Sequence, residues 1–182
     1  MERIQKRSPQ FQARIAGVLY LVSVLTAVFA EFFAPGKLGL AAILIPVAGY
    51  SFVTLLVYGI VQPVNRSLAL LAVGFGLGGL ALEAVRWHPR GVNIAVVMHG
   101  FYCLLIGYLI FRSTFLPRIL GALMVFAGLG WLTFLSNPLV NRLSPYNLAS
   151  GLLGEASLML WLLIMGVNEQ RWKELASTAE HR

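Results

Sequence analysis

The sequence predicts an all-α integral membrane protein, a bundle of six transmembrane helices. Of its 182 residues, 58% are hydrophobic and 12% are charged, whereas an ordinary soluble domain carries roughly 25% charged residues. The apolar residues form continuous runs, and about 20 apolar residues are needed to cross a hydrocarbon core of about 30 Å. Because the backbone in lipid must satisfy its own hydrogen bonds, runs without the alternation of barrel strands must be helices.

Six runs of this kind follow one another, with proline or glycine in the breaks between them. The predicted spans are residues 15–33, 38–61, 67–85, 92–111, 116–134 and 146–167. The first run exceeds the roughly 7 to 15 residues of a secretory-signal core, so we expect it to remain as a span. One membrane domain, residues 15–167, is thus predicted between a basic segment, 1–14, and a polar tail, 168–182, with Trp172 as an interface anchor.

The basic residues predict the orientation, because lysine and arginine are retained on the cytoplasmic side. With both termini cytoplasmic, ten basic residues lie inside and four outside, and the two tails decide this bias. The inner residues are Arg3, Lys6, Arg7, Arg14, Arg66, Arg112, Arg118, Arg171, Lys173 and Arg182, and the outer ones are Lys37, Arg86, Arg90 and Arg142. We therefore expect a multi-pass protein of the plasma membrane.

The net charge of +7 is not the pattern of a nucleic-acid-binding protein. Its basic residues punctuate apolar runs, whereas nucleic-acid binding needs them clustered on one face beside stacking aromatic residues. The expected partner is the lipid bilayer, and a homo-oligomer or a membrane complex remains open.

Four ionisable residues fall inside the spans, and the predicted topology places all of them in the outer half of the membrane. They are Glu31, Glu83, His99 and Glu155. A charge near the centre of a span costs about 2.5 to 3.5 kcal/mol, so such residues usually face the bundle interior. Glu155 is the deepest of the carboxylates and carries the highest cost. The common depth predicts an outward-opening pocket lined by these four side chains.

Local alternatives accompany this pocket. Glu83 has Arg86 at i+3, and a local ion pair at the outer interface explains it as well as a functional role does. Helical spacing adds secondary candidates. Tyr20 lies on the stripe of Glu31 and Cys103 on that of His99, while Tyr50 and Thr54 share a stripe of the second span. Their expected default role is hydrogen bonding between helices, worth under about 2 kcal/mol each.

No cofactor motif is evident in the sequence. A single cysteine, Cys103, excludes an intrachain disulfide. Together with His99 at i and i+4 it could bind a divalent metal such as zinc, but plain helix residues are the preferred interpretation. A metal, if bound, would be held by His99, Glu155, Glu31 and Glu83.

The segment GFGLGG, residues 74–79, formally matches a dinucleotide-binding fingerprint. That fingerprint has meaning only between a strand and a helix, whereas this segment lies inside a span. Its small residues predict close helix packing through Gly74 and Gly78.

Several segments resemble a known family. They are ARIAGVLYLVSVLTAVF at residues 13–29, PVNRSLALLAVGF at 63–75, FYCLLIGYLIFRSTFLPRILGALMVFAGLGWL at 101–132 and EASLMLWLLIMGVNEQRW at 155–172. Together they resemble the bacterial and archaeal membrane proteins grouped as domain of unknown function 4386. The resemblance spans nearly the whole chain and implies six spans, but it implies no activity and no catalytic residues.

Three functional hypotheses follow from the sequence. The leading one is a protein that binds or moves a proton, a cation or a small polar solute through the Glu/His pocket, with Glu155 as the central acceptor and His99 as its partner. The second is a metal-dependent intramembrane enzyme acting on a lipid-soluble substrate. The third is a structural or assembly subunit whose buried charges fix helix register.

Overall fold

The computed structural model describes residues 8–33, 37–85 and 92–180, with side chains at 8–30, 44–85 and 92–179. All regular structure in these ranges is helical. The helices are α1 (Pro9–Phe33), α2 (Lys37–Val61), α3 (Arg66–Ala84), α4 (Ile94–Arg112), α5 (Arg118–Leu132), α6 (Asn137–Leu143), α7 (Tyr146–Ile164) and α8 (Glu169–Glu180). A 3-10 turn, Thr133–Leu135, continues α5.

Six of these helices, α1 to α5 and α7, are long and apolar enough to cross a membrane. Their ends carry the expected local chemistry. Asn65 caps α3 by accepting a hydrogen bond from the amide of Leu68 at 3.0 Å, and Asn93 caps α4 in the same way through the amide of Val96 at 3.1 Å. The chain is therefore a multi-pass helical membrane protein.

The six long helices form a closed ring. Each packs against its neighbours in sequence, and α7 packs against both α5 and α1 to complete the ring. Glycines allow these approaches. A Cβ at Gly154 would lie 2.4 Å from the Leu123 carbonyl oxygen of α5, and one at Gly17 would lie 2.5 Å from the Leu163 amide nitrogen of α7. The short α6 lies between α5 and α7, so α7 can return along the bundle.

The glycine run in α3 packs only partly as predicted. Gly78 does pack closely, because a Cβ there would lie 2.6 Å from Cε of Met98 in α4. Gly74 is exposed, with nothing within 4 Å of the position of a Cβ, while Gly76 and Gly79 are the buried glycines. The prediction for Gly74 was wrong because the sequence does not fix which face of a mostly apolar helix turns inward.

The chain termini also differ in detail from the prediction. α1 begins at Pro9, inside the segment predicted to be basic and outside the membrane. The polar tail forms a helix, α8. The indole nitrogen of Trp172 donates to the carbonyl oxygen of Ile60 at 2.8 Å, so this ring packs onto the end of the bundle.

On the exposed side of α8, Lys173 and Glu169 form an ion pair at 2.7 Å with i,i+4 spacing. The hydrogen bond from Lys173 holds the pKa of the Glu169 carboxyl below its usual range. This pair supports the helix locally and is remote from the bundle interior.

Candidate functional site

The carboxylate of Glu155, in α7, lies at the centre of the ring. Its Oε2 accepts hydrogen bonds from the hydroxyls of Tyr20, at 2.5 Å, and Tyr50, at 2.6 Å. Its Oε1 accepts from the indole nitrogen of Trp131 at 2.7 Å and lies 3.0 Å from Nε2 of His99. These four contacts fill the roughly four acceptor sites of a carboxylate.

The partners of Glu155 come from four different helices, α1, α2, α5 and α4. The two phenols also contact each other, with their oxygens 2.5 Å apart and their rings edge to face. Because each hydrogen bond reaches another helix, the carboxylate connects most of the ring at one level. Phenol and indole are neutral donors, so they orient the carboxylate without cancelling a negative charge.

His99 connects Glu155 to the only cysteine. Its Nε2 lies 3.6 Å from Sγ of Cys103, one helical turn along α4, as well as 3.0 Å from Oε1 of Glu155. Cys103 is fully buried. One nitrogen, one sulfur and one oxygen thus lie within 4.8 Å of one another. His99 is the central member of this group.

A cavity of about 240 Å³ adjoins the cluster. It is lined by Tyr50, Gly76, Gly79, Leu80, Glu83, Ala95, Val96, His99, Trp131 and Glu155. Since Glu83 and Ala95 lie near helix ends and Glu155 lies near the middle of α7, the cavity runs from one end of the bundle towards its centre. We call this end the Glu83 end. The ionisable side chains lie on a wall that is otherwise apolar.

Of the four residues predicted to line one pocket, Glu83, His99 and Glu155 line this cavity together. His99 and Glu155 are in direct contact, whereas Glu83 lies along the wall. Glu31 belongs to α1, but its side chain falls outside the described residues, and so does Arg86. The predicted Glu83–Arg86 pair therefore stays a prediction.

The secondary candidates divide into two groups. Tyr20, Tyr50 and Cys103 belong to the cluster around Glu155 and His99, as described above. Thr54 does not, because its hydroxyl donates to the backbone carbonyl oxygen of Tyr50 at 2.9 Å and its side chain is buried between helices.

Two aromatic residues of the site have no counterpart in the sequence prediction. Trp131 donates to Glu155, and the ring of Tyr102 stacks on the imidazole of His99 with 5.6 Å between ring centroids. Tryptophan near the end of a span is usually an interface residue, which conceals Trp131 in the sequence. The one available indication is general: a buried indole N–H requires an acceptor, and Glu155 is the acidic residue nearest the middle of a span.

The fold and the cluster define a multi-pass helical membrane protein with a histidine and a carboxylate in contact at its centre. Residues 79–166 match the model of a family described as "Domain of unknown function (DUF4386)". The resemblance to this family that was expected from the sequence is therefore confirmed over these residues. They include Glu83, His99, Cys103, Trp131 and Glu155, whereas the two tyrosine donors precede them.

The chain is also similar to an individual protein whose name states no function. The chain is 25% identical over 137 residues to an "Uncharacterized protein" of Archaeoglobus fulgidus, and the alignment covers 69% of this chain and 80% of that protein. No solved structure matches the chain. These similarities carry no statement of activity.

Proposed function

We propose that this protein binds a cation in the cavity at the Glu83 end of the bundle, with Glu155 as the principal anionic group. The observation that carries the proposal is that two carboxylates, Glu83 and Glu155, line one cavity. Its described lining contains no lysine or arginine. A cleft lined by acidic groups between low-dielectric walls concentrates cations.

The bonding of Glu155 supports this function further. Three of its four donors are neutral, so an ionised carboxylate keeps its charge while its position is fixed. Such a charge inside a membrane protein is costly and needs a counter-charge. A cation entering the cavity, or a proton on His99, supplies it. The rings of Tyr50 and Trp131 line the same cavity and offer faces that attract cations.

The proposal extends to topology. We place the protein in the plasma membrane with both termini cytoplasmic, because the basic residues of the two tails favour that side. The cavity would then open to the outside, so the bound cation would come from the external medium. The distribution of basic residues along the chain supports this arrangement, with ten on the inner side and four on the outer side.

Cation binding is tested by thermal unfolding of the purified protein in detergent after treatment with a chelator. The probes are the chlorides of sodium, potassium, magnesium, calcium, manganese and zinc. At 100 times its dissociation constant, a cation stabilises the folded state by about 2.7 kcal/mol. We expect at least one cation to raise the melting temperature of the wild type and not that of Glu155→Gln.

Glu174→Gln is the matched control, because Glu174 is exposed on α8 and remote from the cavity. It should respond to the cations as the wild type does. Equal responses of the wild type and Glu155→Gln, or no response of the wild type to any of the six salts, would contradict the proposal.

Topology is tested with single cysteines and a membrane-impermeant maleimide on intact cells. Asn141 of α6 and Ser177 of α8 are both exposed and lie at opposite ends of the bundle, while the native Cys103 is buried and gives little background. We expect Asn141→Cys to be labelled on intact cells and Ser177→Cys only after lysis. The reverse pattern would invert the proposed topology.

A structural role is a second candidate, favoured by one specific observation. Glu155 bonds to side chains of four other helices, so its main effect could be to fix their register. This candidate predicts that Glu155→Gln lowers stability equally with and without every cation. The unfolding experiment above therefore separates the two functions.

A further inference from the structure

Three potential metal ligands converge beside the cavity. Nε2 of His99 lies 3.6 Å from Sγ of Cys103 and 3.0 Å from Oε1 of Glu155. In a tetrahedral zinc site, a nitrogen and a sulfur ligand are about 3.5 Å apart and a nitrogen and an oxygen about 3.3 Å, from the usual Zn–ligand distances. The sulfur and the oxygen of such a site are about 3.6 Å apart. All three atoms lie within 4.8 Å of one another, so a rearrangement of up to about 1 Å in the carboxylate and the thiolate brings them around one ion.

A hydrogen bond from Nε2 to Glu155 explains the contact of those two residues but not the approach of the Cys103 sulfur to the same nitrogen. Nε2 of an imidazole carries at most one hydrogen, yet it faces both the sulfur of Cys103 and the oxygen of Glu155. A single N–H cannot point at both atoms. A cation among the three satisfies all of them at once.

We propose that His99, Cys103 and Glu155 form a binding site for a borderline-soft divalent metal of the zinc class, with its open coordination position towards the cavity. This inference rests on the proposed cation binding and names the ion and its ligands. The donor set of one imidazole, one thiolate and one carboxylate suits zinc, whereas magnesium and calcium prefer oxygen ligands. Sodium and potassium have no affinity for a thiolate site of this kind.

Charge and surroundings fit such a site. A divalent ion bound by one thiolate, one carboxylate and a neutral imidazole has no net charge, which lowers the cost of placing it inside the bundle. The hydrogen bonds from Tyr20, Tyr50 and Trp131 fix the carboxylate, as outer partners of metal ligands commonly do. Three protein ligands and a fourth position beside a cavity are the arrangement of an accessible zinc site.

The test is a cobalt titration of the full chain in detergent, after removal of bound metal and in a His88→Gln/His181→Gln background. Cobalt bound to a thiolate gives a near-ultraviolet charge-transfer band. Because Cys103 is the only cysteine in the chain, this band can come from no other residue. We expect it to saturate at about one cobalt per chain and to disappear on addition of zinc.

Variants identify the ligands. Cys103→Ser should lose the band and bind zinc more than about 100-fold more weakly than the wild type. Tyr50→Phe changes only an outer partner of a ligand and should lower the zinc affinity by about 10- to 100-fold. Circular dichroism and size-exclusion chromatography show whether each variant is folded. If Cys103→Ser does not fold, His99→Gln takes its place, with its band expected to shift or disappear.

Each result decides between the two proposals. No charge-transfer band in the wild type, or unchanged zinc affinity in folded Cys103→Ser, overturns the zinc site. If sodium or magnesium still stabilises the wild type through Glu155, cation binding itself survives. If none of the salts stabilises the wild type and no band forms, both proposals fail.

Discussion

Replacing Glu155 by glutamine should destabilise the metal-free protein, because glutamine keeps the shape of the side chain but loses one of its two acceptor atoms. If the amide oxygen faces the two tyrosines, the amide nitrogen faces the indole N–H of Trp131, donor against donor. If the amide is reversed, the tyrosine hydroxyls lose the acceptor that they share at 2.5 and 2.6 Å. Either way about two of the four contacts are broken or weakened.

The magnitude follows from these contacts. Hydrogen bonds between membrane helices average about 0.6 kcal/mol, and bonds to charged groups contribute about 1.5 to 3 kcal/mol. The loss of two should therefore lower the free energy of unfolding by about 2 kcal/mol, with a melting temperature lower by roughly 4 to 8 °C for a chain of this size.

Cys103 provides the assay, because it is the only thiol and is fully buried. A maleimide dye that fluoresces on reaction reports its exposure as the metal-free protein is heated. Glu174→Gln should melt with the wild type. If Glu155→Gln melts at or above the wild-type temperature, the cost of burying the charge exceeds the strength of its hydrogen bonds, and our reasoning about the cluster is wrong.

Three further variants test other parts of the structure. Gly121→Ala should lower the free energy of unfolding by about 1 to 3 kcal/mol through overpacking, because its Cβ would lie 2.7 Å from a carbonyl oxygen of α4. Gly74→Ala has nothing near its Cβ and should leave the melting temperature unchanged or slightly raised. Trp131→Phe removes one donor to the carboxylate and should cost about 1 kcal/mol in the dye assay; an unchanged melt would contradict that bond. Gln10→Ala removes two hydrogen bonds to the segment that links α7 to α8, one of them from the amide of Val167 at 2.7 Å, and should speed proteolysis of α8. Cleavage at the wild-type rate would show that other contacts hold this helix.

The helices themselves could be predicted from the sequence because their cause is local. Six apolar runs need six helices in lipid, whatever their neighbours are, and the described residues form six helices of that kind. The structure of the chain's carboxyl-terminal segment was less predictable. α8 lies in a polar segment without a span-length apolar run, and it packs through Trp172 onto a carbonyl oxygen that the sequence does not identify.

The candidate site shows the same division. Glu155 and His99 stand out in the sequence because a charged or titratable group inside a span is costly, and that cost depends on composition and depth alone. The rotation of each helix about its axis decides which side chains contact Glu155. It determines the contact with His99, the hydrogen bonds from Tyr20 and Tyr50 to one oxygen, and the hydrogen bond from Trp131 rather than from another aromatic residue. Mostly apolar helices carry little information about that rotation, as the exposed Gly74 demonstrates. Closure of α7 onto α1 and α5, through glycines that permit close approach, is what brings these residues to one point.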